Sequence, residues 1–478
     1  MPAPDTAGEG VRRRNRNREY TLVTAFFVLL FCSLAGYLVY FTVFRSEDFI
    51  NSPYNTRQDT FADRVVRGSI VSSDGETLAY TQVYEDGSEE RIYPYGGMYA
   101  HVVGYDSNGK SGLESEANFH LLSSHDFFLN QIRNEVKGLK NQGDTVVTSL
   151  NANLQATAYY ALGDHRGAIM ALEPKTGRIL AMVSKPDFDP NTISQNWEYL
   201  IHDENDSSLL NRATNGAYPP GSVFKIVTAL DYLRSRGSFE GYSYDCGGEI
   251  TVDEHTIHCF GYYAHGEEDF YRAFANSCNC AFARIGLDLG AGSLRKTAED
   301  LLFNGKLPLS AYKTSTFPLT TDAAAGLIMQ TAIGQGDTLV SPAHMALLVS
   351  AIANDGILMK PTLIDEIRSS QGEPVKQTRP VEYAPLMSAG EAQALQGLME
   401  QVVTAGTGMA LNGRGYTAAG KTGSAEYNEE GDSHSWFVGY SNIEDPELVV
   451  CVIVEGGGAG SESAVPLAAS LFDAYYYG

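Results

Sequence analysis

The chain has 478 residues, enough for two or three domains at roughly 150 residues each. Hydrophobic residues make up 43% and charged residues 19%, a globular balance that excludes a disordered chain. The net charge of −24 excludes a surface that grips nucleic acid through its phosphates, and otherwise speaks only to solubility.

Arg12, Arg13, Arg14, Arg16 and Arg18 precede an uncharged run over residues 20–44. That run exceeds the roughly 20 residues needed to cross a bilayer. It is longer than the core of a cleavable signal, and Arg45 and Glu47 follow it rather than a small-residue cleavage site. The pattern predicts a basic cytoplasmic tail (1–19), a single membrane span (20–44), and the remainder of the chain outside.

Residues 45–142 read as a small first unit. Within it, RGSIVSSDGETLAYT (67–81) alternates about an Asp-Gly turn, which predicts a hairpin, and residues 109–123 predict a short helix. The character changes at 143, with a strand and then a helix capped near Asn151. Residues 168–184 form two apolar runs joined by Pro-Lys-Thr-Gly, another hairpin. Helical patterns dominate from 222 to about 412. Strand patterns return at 417–426, 435–441 and 447–455, and a helix over 464–476 follows. Strands at both ends with helices between predict one α+β domain over 143–478, its sheet joining distant segments.

The six cysteines are few for a stapled scaffold. Cys32 lies in the span and Cys451 in an apolar strand. Cys278 and Cys280 flank Asn279. Cys246 and Cys259 bracket a possible hairpin and stand equally as a disulfide or as two packing thiols. No cysteine–histidine spacing resembles a zinc site, so neither a metal nor a cofactor is expected.

Three short motifs carry chemistry. In YPPGSVFKIVTAL (218–230), Pro219 and Pro220 stop any helix from upstream, so a helix starts near Gly221. Ser222 and Lys225, three residues apart, then share a face. By itself this is a serine N-cap with a solvated lysine. The second motif is Ser277-Cys278-Asn279 and the third Lys421-Thr422-Gly423. Each alone reads as turn or helix-end polarity, whereas all three in order are characteristic of penicillin-binding proteins and serine β-lactamases.

With these motifs the chain resembles a class B penicillin-binding protein. The likeness extends over RGSIVSSDGETLA (67–79), GLE (112–114), TGRILAMVSKPDFDPN (176–191), YPPGSVFK (218–225), AIGQGDTLVSPAHMA (332–346), GTG (406–408), GKTGSAE (420–426) and WFVGY (436–440). The resemblance implies the penicillin-binding transpeptidase fold, an antiparallel sheet flanked by helices with an all-helical lobe. It also implies a pedestal or dimerisation-like domain over 45–142. The implied activity is cross-linking of peptidoglycan stem peptides that end in D-alanyl-D-alanine, inhibited by β-lactams. Ser222 would be the nucleophile and Lys225 its base, which must be neutral although a free lysine titrates near 10.4. Burial and a second cation, Lys421, would lower it. Ser277 would relay a proton, Asn279 would hold Lys225 and the substrate amide, and Lys421 with Thr422 and Gly423 would bind the terminal carboxylate. The backbone N–H groups of Ser222 and Ser424 would form the oxyanion hole. Gln335 and Gly336 are read as turn formers and Trp436 as packing.

The resemblance further implies a SEDS-type membrane glycosyltransferase as partner, since the region before 143 is small for a glycan-polymerising domain. Two other outcomes fit the motifs. One is a D,D-carboxypeptidase or β-lactamase, with water as acceptor, although no Glu-x-x-Leu-Asn deacylation motif follows Ser277. The other is a β-lactam sensor, for which the roughly nineteen residues before the span are a short signalling segment, or a silent scaffold, which would be expected to lose Ser222 or Lys225.

Overall fold

The computed structural model describes residues 7–41, 63–202, 207–427 and 432–478, with the backbone alone for 7–17. The chain divides into two units, 1–59 and 60–478. In the first, one helix runs over Ala7–Tyr40. Its Arg18–Tyr40 portion is long and apolar enough to cross a membrane, and none of it is buried. Residues 42–44 of the predicted span lie outside the described residues.

In the second unit a five-stranded antiparallel sheet is ordered Ala418–Glu426, Ser433–Ser441, Leu448–Val454, Gly167–Leu172, Ile179–Lys185. The chain's distant segments therefore close one sheet, as the strand pattern predicted. Successive side chains alternate between its faces, and both faces are covered. On one, Ile169, Ala171, Val450, Val452 and Phe437 pack with Leu154, Ala158, Val465, Ala468 and Phe472 of the helices Ala152–Leu162 and Ala464–Tyr477. On the other, Met170, Val449, Cys451, Ile453 and Val438 join the larger core around the helix Pro342–Ala353. Burial on both sides explains why the sequence over 448–454 is apolar throughout rather than alternating. The helix Pro342–Ala353 is buried along its whole length; it opens on Ser341, whose side chain accepts from the His344 N–H, with proline in its first turn.

The expected helical stretch from 222 to 412 is real but interrupted. Helices at Lys225–Arg236, Phe270–Ala275, Asn279–Leu289, Ala291–Asp300, Ala325–Ala332 and Ala389–Ala405 are separated by small hairpins over 244–268 and by strands over 357–385. Two of those strands join a sheet with the first part of the chain. A six-stranded sheet is ordered Pro374–Gln377, Ile364–Arg368, Thr145–Thr148, Ile70–Val71, Thr77–Val83, Glu89–Ile92. The hairpin predicted over 67–81 is thus present, and the strand expected to open the second domain at 143 pairs with Ile70–Val71 on one side and Ile364–Arg368 on the other. A two-stranded ribbon is marginal alone, and recruiting strands from two later segments completes a sheet with a buried face.

Next to this sheet, Gly112–Glu116 and Asn118–Leu121 form the predicted short helix in two pieces. They carry Glu114, which has no exposed surface. Its carboxylate accepts from Arg67 Nε at 2.6 Å and Arg91 Nε at 2.7 Å, and its carbonyl accepts from Arg67 Nη2 at 2.6 Å. The two guanidiniums hold the carboxyl below its usual range against the opposing effect of burial, which is the largest single influence. Removing one partner of such a cluster strands the others without water. Glu114→Ala should therefore cost about 3 kcal/mol or more, seen as a lower midpoint in chemical denaturation followed by the fluorescence of Trp197 and Trp436.

Candidate active site

Gly221 adopts φ +54° and donates its N–H to the Gly334 carbonyl at 2.8 Å. A Cβ at 221 would lie 2.6 Å from the Ser424 carbonyl oxygen, so glycine is what lets this turn meet the strand Ala418–Glu426. From Gly221 the chain forms a 3-10 turn, Gly221–Phe224, and only at Lys225 does it open into the α-helix Lys225–Arg236. A helix therefore starts at Gly221 as expected, with its first turn 3-10 rather than α. In a 3-10 turn residues i and i+3 eclipse one another, so Ser222 and Lys225 align more closely than an α-helix would allow.

Lys225 has no exposed surface. Its Nζ donates to the Ser277 carbonyl at 2.6 Å, to Asn279 Oδ1 at 2.7 Å and to Ser277 Oγ at 3.2 Å. Lys421, also fully buried, donates from Nζ to Ser277 Oγ at 2.9 Å and to the Thr422 carbonyl at 2.9 Å. Two ammonium groups thus converge on one serine hydroxyl. Burial pushes Lys225 down to about 8, opposed by the thiols of Cys278, Cys259 and Cys280 and by Glu268. Lys421 is lowered well below the usual lysine range, by burial first and then by the charge of Lys225. Both causes disfavour the doubly charged state.

Ser277 reaches between the lysines because its backbone sits at φ +56°, a costly conformation for a residue with a Cβ. It precedes the helix Asn279–Leu289, whose first residue, Asn279, also donates from Nδ2 to the His258 carbonyl at 2.9 Å. Lys421, Thr422, Gly423 and Ser424 lie on the strand at the edge of the five-stranded sheet. A Cβ on Gly423 would meet Val223 Cγ1 and the Trp436 Cβ at 3.1 Å, so this strand packs directly on the turn that bears Ser222.

The structure therefore brings all eight candidates, Ser222, Lys225, Ser277, Asn279, Lys421, Thr422, Gly423 and Ser424, to the junction of turn, helix and edge strand. It adds residues that sequence reasoning left without a role. Thr407 places its hydroxyl 2.5 Å from that of Thr422; it lay in the GTG segment, the one signal that could have found it. Trp436 is buried, as expected, and its Nε1 also donates to the Pro219 carbonyl at 3.1 Å, tying the second strand to the turn. Cys246 and Cys259 are free thiols with sulfurs 3.6 Å apart. They belong to a larger group with His265 and Cys278, which linear spacing failed to reveal.

A serine beside a buried lysine, a second serine shared by two lysines, and a glycine-flanked edge strand are the arrangement of serine acyl-transferases that recognise penicillin. A family model for the penicillin-binding protein transpeptidase domain matches residues 167–473, and one for the penicillin-binding protein A dimerisation domain matches 67–146. The peptidoglycan D,D-transpeptidase PbpA of Mycolicibacterium smegmatis is 33% identical over 423 residues, covering 82% of this chain and 84% of the relative. Among solved structures, the D,D-transpeptidase domain of a peptidoglycan glycosyltransferase from Eggerthella lenta superposes with a TM-score of 0.78 at 31% identity, over 86% of this chain and 98% of that one. A ceftriaxone acyl-enzyme of penicillin-binding protein A from M. tuberculosis gives 0.79 at 28% identity, over 88% and 100%. This chain belongs to the penicillin-binding protein transpeptidases, class B.

Gly221→Ala tests the junction. The strain of φ +54° and the approach to Ser424 act together there, whereas Gly237, at φ +79°, has nothing within 4 Å of its would-be Cβ. Gly237→Ala should cost about 1 kcal/mol, and Gly221→Ala about 2–3 kcal/mol or more, compared by denaturation of the two variants.

Proposed function

We propose that the chain is a peptidoglycan D,D-transpeptidase in which Ser222 is the nucleophile. The observation that carries this reading is the convergence of two fully buried lysines on Ser277, beside the turn that bears Ser222. In the reaction, Ser222 Oγ attacks the carbonyl of the penultimate D-alanine while neutral Lys225 takes the hydroxyl proton. The developing oxyanion is held by the backbone N–H groups of Ser222 and Ser424. Lys225 returns that proton through Ser277 to the leaving D-alanine amine, the C–N bond breaks, and an ester to Ser222 remains with Lys225 neutral again. An amine from a neighbouring stem peptide then attacks that ester, gives up a proton through Lys225, and releases Ser222. Lys421 and Thr422 hold the substrate's terminal carboxylate on the edge strand, with Gly423 leaving its backbone accessible. Asn279 positions the amide while its Oδ1 accepts from Lys225. A β-lactam enters the first half of this sequence and stalls in it.

The setting follows from the same reading. The arginine cluster before the apolar helix supports a bacterial membrane anchor with a cytoplasmic N-terminus and an extracytoplasmic catalytic domain. Glycan polymerisation falls to a SEDS-type glycosyltransferase in the membrane, met through the anchor and the pedestal over 45–142. On intact protoplasts, external protease should remove the catalytic domain and spare a tag at Met1; a protected C-terminus would reverse the topology.

Detergent-solubilised full-length chain should bind labelled penicillin covalently and hold it for tens of minutes, a deacylation barrier of about 22 kcal/mol. Loss of label within seconds would make water the acceptor and the chain a hydrolase. Ser222→Ala should abolish labelling, and Lys225→Ala should slow it by about 10²–10⁴-fold.

The pH dependence has a defined sign. Lys225 is a base only when deprotonated, and burial lowers its pKa to about 8. Acylation by penicillin should therefore accelerate about tenfold per pH unit below that value and level off above it. A rate independent of pH between 6 and 9 would remove Lys225 from the role of base.

A further inference from the structure

Behind Ser277 and Asn279, sulfur and nitrogen donors from four separate segments meet. Cys246 ends the strand Tyr244–Cys246, Cys259 follows the strand His255–His258, His265 precedes the strand Gly266–Glu268, and Cys278 caps the helix Asn279–Leu289. Their four donor atoms all lie within 4.8 Å of one another. The sulfurs of Cys246 and Cys259 are 3.6 Å apart, those of Cys259 and Cys278 are 3.7 Å apart, and His265 Nδ1 is 3.6 Å from the Cys246 sulfur.

These three separations match edges of a tetrahedral metal site. Bonds of about 2.3 Å to sulfur and 2.0–2.1 Å to nitrogen at tetrahedral angles separate two sulfurs by about 3.8 Å and a sulfur from a nitrogen by about 3.6 Å. A disulfide would need its sulfurs at about 2.05 Å. Isolated buried cysteines pack as small apolar groups, as Cys451 does in its strand, but apolar packing gives no reason for an imidazole nitrogen to face the thiols. Cys278 also accepts the Ala281 N–H at 3.4 Å at the start of its helix.

The local fold supplies a second argument. Residues 244–268 contain two separate two-stranded pairings, Glu249–Val252 with His255–His258 and Tyr244–Cys246 with Gly266–Glu268. Between them, Phe260, Tyr262 and Tyr263 are exposed. Ribbons this small do not hold themselves, and a metal is one of the few ways to staple them.

We propose that Cys246, Cys259, His265 and Cys278 bind a structural Zn²⁺ ion that positions Ser277 and Asn279. Binding displaces the thiol protons and leaves three thiolates and one neutral imidazole on the metal. Cys278 is covalently between Ser277 and Asn279, and Cys259 adjoins His258, whose carbonyl receives the Asn279 amide. The ion thus fixes both sides of the segment that holds the two lysines, without touching substrate. Cys280, whose sulfur is 3.4 Å from that of Cys259, stands next to the set and outside it. The effect on acylation rests on the reading of Ser222 as nucleophile; the metal content does not.

The test uses full-length chain in detergent, purified without a polyhistidine tag. Elemental analysis should find about one zinc per chain. Cobalt exchanged for it should show the intense visible bands and thiolate charge transfer of a tetrahedral site. Cys246→Ser and His265→Ala should lower zinc retention by about tenfold or more, and Cys280→Ser should leave it unchanged. Chelation should slow acylation by labelled penicillin about tenfold or more, and added zinc should restore it. Wild-type chain with reduced thiols that retains neither zinc nor cobalt overturns the site, as does a Cys246–Cys259 disulfide in the peptide map. Zinc that binds and leaves on chelation with no change in acylation rate overturns its positioning role. Zinc at one per chain without any penicillin labelling would leave the metal site standing and reject the nucleophile instead.

Discussion

Two lysines with no exposed surface share one serine hydroxyl, and the rest of the molecule is arranged to sustain that. Buried ammonium groups are tolerated only with hydrogen-bond acceptors at hand, and those acceptors come from separate parts of the chain. Ser277 and Asn279 approach from the helical lobe, and the Thr422 carbonyl from the edge strand. Lys225 finds its acceptors within the lobe, whereas Lys421 reaches Ser277 only when sheet and lobe are docked. The docking is made by backbone at van der Waals distance, through Gly221 against Ser424 and Gly334 against Gly221. The left-handed Ser277 is a local cost accepted at the same place. Stability and chemistry pull against each other here, as at many functional sites.

The same constraint gives the sheet its shape. The strand bearing Lys421 is left at the edge, where an extended peptide can lie along it, while its four companions are covered on both faces. Trp436 and Thr407 fasten that edge from the rear, one through Pro219 and the other through Thr422. This edge strand keeps an unbroken register with Ser433–Ser441 over nine residues, Ala418–Glu426, and among the described residues no strand pairs with its open side.

Much of this was legible in the chain. Strands at 435–454 announced themselves by apolar runs, Asn151 by its capping position, and the three motifs by their order. What escaped has physical causes. Whether Ser222 begins an α-helix or a 3-10 turn depends on Gly334 and Ser424, far away in sequence. The strands over 364–377 are short and polar on one side, and their partners lie in the first part of the chain. The four zinc-ligand candidates escaped because ligand spacing is informative only within one hairpin or loop, whereas these residues are delivered by three strand ends and a helix cap. Contacts set by tertiary docking leave no local period to read.

The strand Thr145–Thr148 is held on one side by Ile70–Val71 and on the other by Ile364–Arg368. Synthesis proceeds from the N-terminus, and domains ordinarily fold as they emerge. Here the first sheet cannot be finished in that order, because its outer ribbon is made only after the Ser222 turn and the helical lobe have been produced. Completion of that six-stranded sheet is thereby a late event. Any partner that grips the finished sheet would meet only chains in which Ser222 and Lys225 have already been synthesised.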